Sequence, residues 1–90
     1  MIFLHKMKNN SEIEEKTLKQ YIDASKRGGS LESITAKYNY LVQEWFLDIQ
    51  YANKIYKLVK KAGGEKGFKN LDKLADRLQK WGAKELIIKL

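Results

Sequence analysis

Apolar residues recur at helical spacing in three stretches of the chain, and glycines separate them. Leu18, Tyr21, Ile22 and Ser25 share one face of a segment beginning at Ser11, the three-to-four-residue repeat of an amphipathic helix. Ser11 and Glu14 have the spacing of a capping box, in which each side chain satisfies the other's free backbone amide. Glu12, Glu14 and Glu15 near the start, and Lys26 and Arg27 at the end, suit the helix dipole. Gly28-Gly29 supplies the stop, because glycine adopts the left-handed conformation cheaply. This spacing predicts a helix over residues 11–27.

The middle of the chain, from Leu31 to Ala62, contains neither Gly nor Pro. Read in heptads, one column holds Leu31, Tyr38, Trp45, Ala52 and Val59, and another holds Thr35, Val42, Ile49 and Tyr56. A third holds Ile34, Leu41, Ile55 and Ala62, with Asp48 its one charge. The opposite side carries Tyr40, Leu47, Tyr51 and Leu58, so the segment has two apolar faces. That pattern predicts helix over 30–62, sandwiched between others or broken near Asn39-Tyr40. Unbroken, it would be about 48 Å long at 1.5 Å per residue.

Leu71, Leu74, Ala75, Leu78 and Trp81 form a third stripe, with Asn70 as N-cap and Gly82 as terminator, which predicts helix over 70–82. The tail from Glu85 to Leu90 reads as a short helix or as a strand pairing with Met1–Lys6. The fold expected is all-α: one helical domain over residues 1–90, a small bundle of three to four helices. Residues 1–10 are its N-terminal segment, and one long central helix is one form of its middle.

Composition narrows the function classes. Ninety residues are one domain's worth of chain. Three Phe, two Trp and five Tyr supply enough large apolar area for a core. No run of about 18 apolar residues exists, as a membrane-spanning helix requires. With no cysteine there is no disulfide framework, and one histidine, His5, does not make an ordinary zinc site. The Met1–Leu4 stretch is too short for a signal-peptide core. The chain therefore reads as a cytoplasmic protein that is not an enzyme, with no cofactor, metal or small-molecule substrate. Asp72 and Asp76, four apart on one helix face, are followed by Arg77 and Lys80 and read as ion-paired.

Charge says more than any motif. Residues 1–45 carry seven basic and six acidic side chains, whereas residues 46–90 carry eleven and five. Most of the net charge of +7 therefore sits in the second half. Lys54, Lys57, Lys60, Lys61, Lys66, Lys69, Lys73, Arg77 and Lys80 are the candidate contacts to nucleic-acid phosphates, DNA before RNA. Gly64-Glu-Lys-Gly67 has the Gly-x-x-Gly spacing by which KH domains clamp a nucleic-acid backbone. The local expectation there is a helix stop and a flexible connection.

Residues 30–49 resemble a helix-turn-helix in spacing, with Leu31, Ile34 and Tyr38 as core positions and Asn39 in the turn. The would-be reading helix, Gln43–Gln50, contains no Lys or Arg and carries two carboxylates. It is thus unsuited to a polyanion groove. No family is assigned. A second class of function is a helical protein–protein interaction module with Trp45, Phe46, Leu47, Tyr51 and Leu58 on an exposed helix face. Its occupant would be a second copy of the chain or another protein. In size, helicity and charge this reading resembles the small basic helical-bundle immunity proteins.

Overall fold

The computed structural model describes residues 11–90, and the sequence-based expectations for Met1–Lys6, His5 among them, lie outside that range. The architecture is mixed α/β and not an all-α bundle. In chain order the elements are β1 (Glu12–Ile13), α1 (Glu15–Ser25), β2 (Leu31–Asn39), β3 (Glu44–Tyr51), β4 (Lys54–Leu58), β5 (Gly67–Phe68), α2 (Leu71–Trp81) and β6 (Ile87–Lys89). The sheet runs β1-β4-β3-β2-β6, and β5 adds to β3. β2, β3 and β4 form an antiparallel meander, with β1 parallel to β4 and β6 parallel to β2.

The stretch expected to be helix over 30–62 is this three-stranded meander. Its apolar residues alternate: Ile34 and Ala36 on β2, then Trp45, Leu47 and Ile49 on β3, are buried while their neighbours are not. The register places Leu47 against Ala36 and Ile49 against Ile34, so the buried residues share one face. β-Branched and aromatic side chains suit such a pleated, half-buried surface. Chain reversals occur at 40–43 and at Ala52-Asn53. Gln43, Ala52 and Asn53 take positive φ there without a glycine.

Both helices cover the same face of the sheet. The connection β1-α1-β2 steps across β4 and β3, and β4–α2–β6 steps across β3 and β2 in the same direction. Two crossovers of one hand between parallel strands place their helices on one side. Leu18 and Ile22 of α1 and Leu74 and Leu78 of α2 there join Ile34, Leu47, Ile49 and Leu58 in one core. The opposite sheet face, with Thr35, Lys37, Asp48 and Lys57, has no helix of the described residues against it.

The helix over 70–82 is observed as 71–81. The Asn70 side chain accepts from the Lys73 amide, and Gly82 closes α2 at φ 106°. The amides of Gly82 and Ala83 turn back to Gln79 and Leu78. The helix over 11–27 is shorter than expected, 15–25. Glu12-Ile13 pairs with Lys57-Leu58, and the proposed capping box does not form, since Glu14 is the N-cap and makes no side-chain cap bond. The tail is a strand, paired with β2. Among the described residues no helix is long and apolar enough to cross a membrane.

Candidate nucleic-acid interface

The connection from β4 to β5 places the chain's densest run of lysines beside the start of α1. It is a tight hairpin and not a helix stop with a loose connection. The Lys60 amide donates to the Gly64 carbonyl, Lys66 donates back to Leu58, and Val59 bridges Glu65. Gly63 and Gly64 both have positive φ, which the reversal needs and β-carbons disfavour. Gly67, the second glycine of the Gly-x-x-Gly spacing, lies in β5, where a β-carbon would collide with the Glu44 carboxylate. That pattern is therefore strand packing, in a chain whose sheet is not a KH arrangement.

Around this hairpin a cleft of about 230 Å3 is lined by Glu14, Glu15, Lys16, Val59, Lys60, Lys61 and Lys66. Glu15 is its organising anion. Its Oε2 receives Arg77 Nη1 at 2.9 Å and Lys66 Nζ at 3.2 Å. Both cations also lie 5.8 Å from the Phe68 ring centre, a cation–π arrangement that holds them side by side. Lys73 lies one turn before Arg77 on the same flank of α2. The tertiary fold thus gathers Lys16, Lys60, Lys61, Lys66 and Arg77 around Glu14 and Glu15.

The other predicted phosphate contacts are elsewhere. Lys57 is on the open sheet face, 3.5 Å from Asp48 and 3.8 Å from Glu65. Lys69 pairs with Glu44 at 3.2 Å, and Lys80 pairs with Asp76 within α2 at 3.3 Å. Lys54 lies over the Tyr56 ring at 5.4 Å. The nine residues are therefore not one continuous patch; Lys60, Lys61, Lys66 and Arg77 converge at the α1 start, Lys73 is one helical turn from Arg77, and the other four are elsewhere. Lys16, Glu15 and Phe68 complete the cluster and were not among the sequence candidates. Only the position of Glu15-Lys16 at a helix start hinted at them.

The open sheet face has its own electrostatic centre. Asp48 accepts from Lys37 at 2.8 Å and lies between it and Lys57. The hydrogen bond from Lys37 to Asp48, reinforced by the charge of the carboxylate, holds the ammonium above the ordinary lysine range. With Asp48 and Glu65 among its lysines, this face is close to balanced.

The five residues expected on an exposed helix face occupy strands instead. Trp45, Leu47 and Leu58 are buried in the core, Tyr51 stacks on Tyr21, and Phe46 is half-buried on β3. Alternation in a strand sends neighbouring residues to opposite faces, so they do not form one surface. Among the described residues no group of three or more His, Cys, Asp or Glu side chains is placed to hold a metal ion. The chain matches no protein-family model, and no curated protein resembles it in sequence.

Proposed function

We propose that the protein binds nucleic acid through its phosphate backbone, using Lys16, Lys60, Lys61, Lys66, Lys73 and Arg77 with little reading of base edges. One observation carries this reading: Lys16, Lys60, Lys61 and Lys66 line one cleft and Arg77 reaches its Glu15, with Lys73 one helical turn before Arg77 on α2. Ammonium groups on a hairpin and a guanidinium steadied on Phe68 suit phosphate oxygens, which accept hydrogen bonds and displace counterions. Lys60, Lys61 and Lys73 make no ion pair with a described carboxylate, so they remain available to a ligand. Lys57, Lys69 and Lys80 each have a carboxylate partner and contribute less.

A mobility-shift series against duplex DNA and RNA tests the reading. The triple variant Lys60→Glu, Lys61→Glu, Lys73→Glu is expected to lose at least a hundredfold in affinity, about tenfold per reversed charge at low salt. Lys54→Glu and Lys80→Glu are expected to change it by less than about threefold, while all variants keep their circular dichroism. Equal losses per reversed charge in both sets would mean that net charge alone governs binding. Undiminished binding by the triple variant would remove the proposed interface.

A further inference from the structure

Among the described residues the sheet ends on one side at β6, and that edge is suited to pairing. β6 bonds to β2 on one side, and no described strand lies on the other. Ile87 and Ile88 are 43% and 45% exposed, and the adjoining Leu90 is 86% exposed. Sheets guard such edges with charges, proline or bulges, because unpaired amides and carbonyls template another strand. The opposite edge offers no comparable template: β1 has two residues, Ile13 is buried, and α1 follows almost at once.

Residues 85–89 are their own antiparallel complement. Set against a second copy about a twofold axis at Ile87, Ile87 faces Ile87, Leu86 faces Ile88, and Glu85 faces Lys89. β6 itself is Ile87–Lys89; where pairing extends the strand back to Glu85, alternate residues share a face, so Glu85, Ile87 and Lys89 make one row that meets its reverse. Every place in that row then holds either opposite charges or two apolar groups. The neighbouring registers that keep each residue on its own face lose the match: centred on Leu86, Glu85 faces Ile87, and centred on Ile88, Ile87 faces Lys89. Glu85 and Lys89 are both exposed and take part in no ion pair among the described residues.

We propose that β6 is a homodimer edge: two copies join β6 to β6, antiparallel about Ile87, into one sheet that runs through both. The twofold closes the contact, since pairing uses up the edge on each copy. So short a seam is smaller than a standard protein–protein interface, and a weak, concentration-dependent dimer is expected. This pairing does not depend on nucleic-acid binding and uses none of its residues.

Charge reversal at the seam tests it by sedimentation equilibrium up to several hundred micromolar. Wild type is expected to dimerise. Glu85→Lys and Lys89→Glu each place like charges together at both ends of the seam and are expected to weaken the dimer about tenfold or more. The double variant Glu85→Lys, Lys89→Glu restores opposite charges and is expected to dimerise as wild type does. An equimolar mixture of the two single variants is expected to form a heterodimer, which a merely structural role for either residue does not produce. A monomeric wild type, single variants that dimerise undiminished, or a mixture that stays monomeric would each overturn the proposal.

Discussion

Tyr21 of α1 lies flat against Tyr51 of β3, with ring centres 3.7 Å apart and planes 3° from parallel, and Tyr56 meets them edge-on. Burial pushes the Tyr21 phenol above its usual value, and the neighbouring phenols of Tyr56 and Tyr51 add to the effect. A phenol whose folded value is the higher one contributes stability that is fully present below pH 10. That contribution disappears as the pH climbs through the raised value. Lys37 acts in the same sense, because Asp48 favours its charged form in the folded state. Stability is therefore expected to fall above about pH 10, with Tyr21 as one source. In urea denaturation from pH 8 to 11, Tyr21→Phe is expected to lose stability less steeply than wild type. Parallel decline of the two proteins would show that Tyr21 ionisation is not a source.

Local signals identified the elements whose ends are chemically marked. Asn70 and Gly82 bracket α2 because an amide side chain and a left-handed glycine act within a few residues of themselves. α1 was legible at its apolar stripe and its Gly28-Gly29 stop, but Glu12-Ile13 belongs to a strand pair made with residues 57 and 58. The meander escaped because its two reversals lack glycine and proline. Ile34-x-Ala36-x-Tyr38 and Trp45-x-Leu47-x-Ile49-x-Tyr51 repeat every second residue. Such a repeat, summed over thirty residues, also populates two helical faces. Its tighter turn makes a test. Ala52 and Asn53 both have positive φ, as a two-residue type I′ hairpin requires, and Ala is poorly suited to it. Replacing the pair by Asn-Gly is expected to stabilise the protein by about 1 kcal/mol, read as a higher denaturation midpoint. A lower midpoint would mean that the turn has another geometry.

Across the whole molecule, one long-range relation decides which cations act together. Glu15 and Arg77 are 62 residues apart, joined only because both crossovers put α1 and α2 on the same face of the sheet. A charge run such as Lys60-Lys61 was legible without the fold. The separation of Lys57, Lys69 and Lys80 from it was not, because strand register and partner carboxylates settle that. The cluster also has a built-in restraint. Glu15 holds Lys66 and Arg77, so a phosphate must compete with a carboxylate for both. Each phosphate neutralised lowers the logarithm of the binding constant by about 0.9 per decade of salt. Lys16, Lys60, Lys61 and Lys73, which pair with no described carboxylate, then give a slope of about −4 on duplex DNA. Glu15→Gln frees two more cations, and the slope is expected to steepen towards about −5 with affinity rising several-fold at low salt. The same change removes two partly exposed ion pairs, each worth about 1 kcal/mol or less, so tighter binding would come with slightly lower stability. Titrations from 50 to 300 mM salt, with melting curves on the same samples, read both effects. An affinity that fell in Glu15→Gln would show that the carboxylate positions Arg77 for its ligand and does not compete with it.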